Sequence, residues 1–547
     1  MFAAKKWAHY CDLGNLVLKL RIKGKYWLQI MGSVRNLAYN RIDTLLLERE
    51  INTESVEITI PNPYGYDGVY FSIIENEDNP VEILGGEWCT DRAPNRQNKI
   101  AIVTCTFKRE DYVLNNINLL EKFLRDTPEL KGRLAHFVVD NGKTLDLKRA
   151  NNVTKIFPNK NAGGAGGFTR GLIEVMRSKA GFTRVLFMDD DVEILPEAFY
   201  RTLALADYLN DQFADSFING AMFNLYSHEQ FYENLSIQCG MWVRSYHPEM
   251  TAADYDNVLK INDIPASVYA NPYDKAGTAW WFQCFPVEMA ERDGLPLPLF
   301  LRGDDLEWGW RRNGKHHISM NGIFLWHAPF PWRVSKTADY YYSPRNLFLL
   351  NCVYKGDFKD RFEALLTDVF TYLVRTYDYV SIELLLKAMD DILKGGDAFR
   401  TDPEEKLQEV NAIARQVEYH DCYDSYELEH IRHHRRDVSK FKQFLYKVTR
   451  NGVWYPKWLM QRGGVSLEWY PPHQNFMFIH EVRVYNLNTR KFCVRRFRRG
   501  KTIRLTRAFH EKLAAIKSNY DKLRNDYLRS LEEFKTLDFW KKYLGIN

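Results

Sequence analysis

The sequence is short of the features that would place it in several large classes of protein. Its eight cysteines are scattered, with no CxxC and no paired spacing. That argues against a disulfide framework or a cysteine zinc site and fits a reducing cytoplasm. No stretch reaches the roughly 18 apolar residues that would span a bilayer. The opening residues, MFAAKKWAHYCDLGNL, have no apolar core like that of a signal peptide. No Walker-type GKS/T accompanies the glycine-rich loop, so an ATPase of that kind is not expected. No nucleic-acid-binding motif is recognisable.

What is present is a long, globular chain. At 547 residues it has room for three or four domains. It is 45% hydrophobic and 27% charged, a balance that folds rather than staying disordered. Aromatic residues reach 14%, which suits sugar stacking as well as a large core. The net charge of +5 hides an asymmetry. From His430 onward, 27 Lys and Arg stand against 9 Asp and Glu, so the remainder is acidic. A basic tail rich in Trp, Tyr and Phe (HIRHHRRD, VWYPKWLM, VRRFRRGKTIR) is either a solvated surface or one that meets anionic partners. Among such partners a membrane surface is favoured over nucleic acid.

The chain is organised around Val185–Leu195, VLFMDDDVEIL. An apolar strand, buried on both faces, runs straight into Asp189, Asp190 and Asp191. Alternation along a strand sends Asp189 and Asp191 one way and Asp190 the other. Two carboxylates on one side of a strand end suit a hard divalent cation such as Mg²⁺ or Mn²⁺. A solvated acidic turn is the plainer alternative, but three adjacent carboxylates repel one another unless a cation relieves them.

Before this stretch the pattern is in two parts. Residues 14–90 alternate apolar and polar between turns, which predicts a small antiparallel sandwich, either a carbohydrate-binding module or a structural cap. From Ile100, strands alternate with helical segments: IAIVTCTF, LAHFVVDNG, KIFPN and RVLFMDDD. This predicts a parallel sheet with ligands beyond its carboxyl ends, where Thr106, Asp140, Asn161 and Asp189 lie. NAGGAGGFTRGL (161–172) is either a tight turn into a helix or a loop whose bare backbone lets a nucleotide approach.

After it come Trp280 and Trp281, either two core residues or one packed inward and one free to stack on a ligand. LFLRGDDLEWGWR follows, with Asp304, Asp305 and Glu307. A carboxylate there can serve as a general base, unless the cluster only marks a helix N-terminus. FLWHAP ends an apolar run at His327, a core residue or a third metal ligand. YYYSPRN (340–346) is expected to line the same cleft. Beyond 350, Asp360–Val374, Ser381–Leu393 and Tyr520–Leu544 carry helical periodicity.

CTFKR (105–109), VDNG (139–142), NAGGAGGFTRGL, MDDD (188–191), WWF (280–282), RGDDLEWGWR (302–311) and WH (326–327) together resemble the polymerising galactofuranosyltransferases. The resemblance covers residues 100–350 and implies an α/β GT-A (Rossmann-like) catalytic domain. It also implies an N-terminal antiparallel β-sandwich and a mostly helical C-terminal region. The expected boundaries are 1–95, 96–350 and 351–547. The implied activity is inverting transfer from UDP-galactofuranose to a glycan, with Mn²⁺ or Mg²⁺ held by Asp189, Asp191 and His327. Arg109, Asp140, Asn161, Gly163, Gly164 and Asp190 fall on the donor side. Asp305 matches the base, Asp304 a neighbour that orients the acceptor, and Trp280 and Trp281 the acceptor-contacting pair. The family has a second histidine near the acceptor, where this chain has YYYSPRN. The acceptor is expected to be linked to polyprenyl diphosphate, with the protein peripheral on the inner face of the membrane. A homo-oligomer is also among the expectations.

Overall fold

The structure is a computed structural model. It describes residues 1–547 apart from 37–39, 76–79, 240–241, 248–249, 265–275, 312–315, 330–334, 423–438, 450–451, 468–469 and 487–488, and without the side chains of 238–239 and 242–243. The basic run 430–437 therefore lies outside the described residues. The chain divides into two compact units. The first holds 1–160, 166–295 and 305–329, and the second holds 161–165, 296–304 and 330–547.

The first unit opens with two three-stranded antiparallel sheets. One is built from Leu16–Lys23, Ser55–Thr59 and Glu82–Thr90, the other from Tyr26–Arg35, Arg41–Ile51 and Gly68–Glu75. Alternation decides which side chains go inward: Leu18, Leu20 and Ile22 of the first pack with Leu28, Ile30 and Val69 of the second.

A seven-stranded sheet follows, in the order His317–Ile318, Phe217–Asn219, Phe282–Pro286, Arg184–Asp189, Ile100–Thr106, Leu134–Asp140 and Thr154–Pro158. The last four are mutually parallel, and Phe282–Pro286 runs antiparallel to Arg184–Asp189. Ile100–Thr106, Leu134–Asp140 and Arg184–Asp189 carry long buried runs, as expected of strands covered on both faces. Helix Gly163–Arg177 lies tight on the sheet. A Cβ at Gly167 would collide with Cys105, and one at Gly171 with Val103, so glycine is what lets helix and strand approach. Ile100–Thr106 has a later strand on each side, Arg184–Asp189 on one and Leu134–Asp140 on the other. The chain order reverses at that point, which opens a crevice at the carboxyl ends.

A second, five-stranded sheet carries Phe324–His327 between Glu193–Ile194 and Ala221–Asn224. Pairing of Glu193 with Trp326 and Ile194 with Leu325 ties the segment just after the acidic run to the strand ending in His327.

The second unit is built on helices Ser343–Tyr354, Phe358–Arg375, Tyr379–Leu393, Pro403–Ala414 and Arg499–Phe534. The last is 36 residues long and buries Leu505, Phe509, Leu513, Ile516, Tyr520, Leu523 and Tyr527, a stripe at three- and four-residue spacing. Phe509 stacks on Phe370 with ring centroids 4.0 Å apart. The sequence places this helix only from Tyr520. Its first 21 residues are rich in Lys and Arg, which masks the apolar stripe. The helix breaks before Thr536, whose hydroxyl accepts from the Phe539 N–H and starts a new one, Leu537–Leu544. The region is also not purely helical. A four-stranded sheet, in the order Tyr419–Asp421, Lys491–Arg496, Ile479–Asn486 and Gln461–Ser466, sits within it.

Candidate active site

In the first unit, Asp189 is the final residue of its strand, and the next two aspartates form the turn beyond it. Asp189 and Asp191 face the same way, as expected from the sequence, although the turn and not strand alternation sets the direction of Asp191. Their carboxylates and the His327 imidazole each offer one ligand atom, and the three atoms lie within 4.8 Å of one another. His327 Nε2 is 3.7 Å from Asp189 Oδ2 and 3.5 Å from Asp191 Oδ1. Asp191 and His327 are buried, while the Asp189 side chain is 35% exposed and opens the cluster to solvent. Two carboxylates and an imidazole are the donor set of a divalent cation of the Mn²⁺ or Mg²⁺ kind, and the spacing fits one ion. Arg109, at the start of helix Glu110–Asp126, pairs with the other oxygen of Asp191.

Asp190 points the opposite way, into the protein. Its Oδ2 accepts from Thr106 Oγ1 at 2.7 Å, across the crevice where strand order reverses. Asn116 donates to the backbone carbonyls of Asp190 and Val192 and fixes the turn. Burial pushes the Asp190 carboxyl up to about 6, against the pull of the Thr106 hydrogen bond. Asp140, at the neighbouring strand end, uses both oxygens on its own turn, accepting from the N–H groups of Gly142, Thr144 and Leu145.

Trp280 and Trp281 are both buried, at 4% and 2% exposure, so neither has the free face expected for stacking. They do face opposite ways. Trp281 donates to the Gly220 carbonyl and has its ring centroid 6.3 Å from that of His327. Trp280 meets Phe168 and Phe187 edge-on, and its buried indole N–H has no acceptor among the described residues.

Asp305 lies in the first turn of helix Asp304–Trp310 and accepts from the Leu306 N–H at 2.7 Å. Beside it is a group the sequence reading missed. Glu233, at the end of strand Ser227–Glu233, accepts from Ser236 Oγ. Burial pushes its carboxyl up to about 7, and the charge of Asp305 adds to the shift. A single glutamate in an unpatterned segment gives no local signal. Glu307, by contrast, is wholly buried in a bidentate pair with Arg311, and its role is structural.

The second unit holds the turn that leads into this helix. Phe300, Arg302 and Gly303 all have positive φ, at 71°, 69° and 88°. Two non-glycine residues in the left-handed region represent real strain. Asn346 holds the turn: its Nδ2 lies 2.9 Å from the carbonyl oxygens of Leu299 and Leu301 and 2.8 Å from that of Arg302. Arg345 donates to Leu299 as well. Tyr341, Tyr342, Arg345 and Asn346 are buried, so most of YYYSPRN supports the turn from beneath instead of lining a cleft.

Gly163, φ 70°, is required by the same turn, because a Cβ there would collide with the Phe300 carbonyl. A Cβ on Gly164 would lie 3.5 Å from Asp304 Oδ2. Asn161 accepts from the Gly163 N–H, and its own N–H donates to Glu404.

A parallel sheet with an Asp-X-Asp pair and a histidine beyond its carboxyl ends is an arrangement of the glycosyltransferase kind. Within that class the chain is related to the galactofuranosyltransferases. Galactofuranosyltransferase GlfT2 of Mycobacterium tuberculosis is 24% identical to it over 439 residues, 76% of this chain and 67% of that protein. The protein of the same name from Mycolicibacterium smegmatis is 24% identical over 444 residues, 76% of this chain and 66% of that protein. The chain thus matches about two thirds of the length of these relatives. No family model matches. Mannosyl-3-phosphoglycerate synthase from Rubrobacter xylanophilus is a distant structural match, at TM-score 0.25 and 12% identity over 41% of this chain and 65% of that one, too low a score to define the fold.

Proposed function

We propose that the protein is an inverting, metal-dependent galactofuranosyltransferase that moves galactofuranose from UDP-galactofuranose to a hydroxyl of a glycan. The observation that carries this reading is the gathering of Asp189, Asp191 and His327 within 4.8 Å at the point where strand order reverses. These residues would hold Mn²⁺ or Mg²⁺, which supplies positive charge beside a diphosphate leaving group.

The chain's own residues supply the rest. Arg109, beside Asp191, adds a cation on the donor side with Asp140, Asn161, Gly163, Gly164 and Asp190. Asp305 takes the proton of the acceptor hydroxyl as that oxygen attacks the anomeric carbon. Asp304 orients the acceptor. Trp281, packed next to His327, and Trp280 behind it shape the wall of the acceptor side from within the core and do not stack on the sugar. UDP leaves from the opposite face, so one displacement inverts the anomeric centre and an α-linked donor gives a β product. The fold in this reading is a GT-A domain preceded by a β-sandwich, 1–95, and followed by the C-terminal region, 351–547.

The acceptor is a lipid-linked glycan, of the polyprenyl-diphosphate type, at the inner face of the membrane. No helix among the described residues is long and apolar enough to cross a bilayer. In the second unit, however, Phe441, Phe444, Val448, Trp454 and Trp458 are all more than half exposed beside Lys440, Lys442, Lys447 and Lys457. Exposed aromatics among lysines suit the headgroup region of an anionic membrane.

The test is turnover of UDP-galactofuranose against a panel of acceptors, with the linkage read by NMR and other nucleotide sugars run alongside. Transfer from UDP-galactofuranose alone supports the reading. Efficient use of a pyranosyl or rhamnosyl donor in its place removes it. Co-sedimentation with anionic vesicles should weaken in salt and in Phe441→Ser/Trp458→Ser; unchanged binding removes the membrane part.

A further inference from the structure

The second unit contains a cavity of about 320 Å³ that plays no part in the proposed reaction. That is the space of roughly ten water molecules. Its lining is mostly cationic: Lys336, Arg495, Arg496, Arg498 and Lys501 face it, against the carboxylates of Asp378 and Glu418, with His420 beside Glu418. At the floor, Asp378 is shared by two buried cations, Lys336 and Arg495, the latter at 2.9 Å. Burial pulls the Lys336 ammonium down, while the two cations hold the Asp378 carboxyl well below the usual carboxylate range.

A second element brings further positive charge to the same place. Helix Arg499–Phe534 begins here, with Arg498 as its N-cap residue. No side chain caps it and its first turn contains no acid. It offers Arg499 and Lys501 instead, at the positive end of a 36-residue helix. This reverses the usual preference, which puts carboxylates there. Tyr379 fastens the helix start to the cavity wall: its hydroxyl accepts from the Arg498 N–H at 2.9 Å and bonds Thr502 Oγ1 at 2.8 Å. Arg496 and Lys501 are paired with Glu481 and Glu383, while among the described residues no ion pair engages the exposed Arg498 guanidinium.

We infer that this cavity is an anion site for a phosphate-bearing group, recognised by Arg495 and Lys336 at its floor and by Arg498 and Lys501 of the helix start at its mouth. Guanidinium and ammonium groups at the positive end of a helix are the chemistry of phosphate recognition. The phosphate can belong to a dissolved molecule or to a lipid headgroup. This inference is independent of the transferase reading.

The test is calorimetric titration of the full chain with inorganic pyrophosphate in EDTA, which removes divalent cations from the Asp189, Asp191 and His327 cluster. Wild type should bind, and Arg498→Glu, an exposed position that leaves the fold intact by circular dichroism, should bind at least tenfold more weakly. Arg507→Glu is the control: it lies on the same helix, is strongly exposed, and does not line the cavity. It should bind as wild type does. Absence of pyrophosphate binding, equal binding by Arg498→Glu, or equal weakening by Arg507→Glu overturns the site. Vesicles of phosphatidylcholine with and without phosphatidic acid then separate the sources. Phosphatidic-acid-dependent binding that pyrophosphate competes away and Arg498→Glu loses identifies a headgroup. Pyrophosphate binding without that competition identifies a dissolved ligand.

Discussion

The side-chain amide of Asn346 donates to the carbonyl of Arg302 at 2.8 Å, and so holds the residue just before Gly303 and Asp304 in a left-handed conformation. The same nitrogen reaches Leu299 and Leu301. A buried amide with three carbonyl neighbours is a clamp, and what it clamps is the turn that delivers Asp304 and Asp305.

Asn346→Ala should therefore act on both stability and chemistry. The carbonyls of Leu301 and Arg302 lose this partner while Leu299 keeps Arg345, at a cost on the order of 3 kcal/mol. Urea denaturation should show that loss, and kcat should fall while donor binding is retained. Full activity in a well-folded Asn346→Ala protein would mean that the turn holds its shape without help.

The proposed base is tested by Asp305→Asn, which keeps the shape of the side chain and removes its basicity. A drop of about 10²–10⁴-fold in kcat is expected. The Kd for UDP should stay as it is in wild type. Asp191→Asn should instead weaken Mn²⁺ binding, read by calorimetry, since it alters the ligand set rather than the proton acceptor.

Gly163→Ala separates steric from conformational cost. Both Gly163 and Gly132 have positive φ, at 70° and 76°, but only Gly163 faces the Phe300 carbonyl, and Gly132 has open space around it. Gly132→Ala should cost about 1 kcal/mol of strain, and Gly163→Ala about 2 kcal/mol more. Equal losses in urea would show that the Phe300 contact gives way freely.

Glu233 gives a pH signature. Its carboxyl is raised to about 7 in the folded protein, against an ordinary value of 4.5. The stability this contributes is fully present below about pH 4.5 and is lost as pH rises through 7, because the unfolded chain ionises first. Glu233→Gln cannot ionise. Its Tm relative to wild type should rise between pH 5 and pH 8, and parallel Tm curves would show that Glu233 titrates normally.

Much of the first unit was legible in the sequence because its signals are local. Apolar runs ending in Thr106, Asp140 and Asp189 mark strands by composition alone, and alternation correctly sends Asp190 away from Asp189 and Asp191. That His327 joins them came from chemistry, the need for a third ligand, and from a resemblance; the cause is the pairing of Glu193–Ile194 with Leu325–Trp326. What was not legible depends on distant partners. Nothing near Asn346 announces that it will serve carbonyls more than forty positions earlier. The burial of both tryptophans depends on Phe168, Phe187 and Gly220, and the C-terminal sheet pairs short strands more than 70 positions apart, such as Tyr419 with Cys493. Glu233 becomes unusual only once folding buries it, with Asp305 nearby adding to the shift.

The turn before Asp304 also receives help from the far end of the chain. Trp540, fully buried in the final helix, donates its indole N–H to the carbonyl of Pro296 at 2.9 Å. A nascent polypeptide emerging from the ribosome would already carry every ligand of the cation cluster by His327, yet it would have to wait for Asn346 and then Trp540 before this turn could be fully secured. On the proposed function, order of synthesis would complete the cation-holding residues early and secure the turn before the proposed base late.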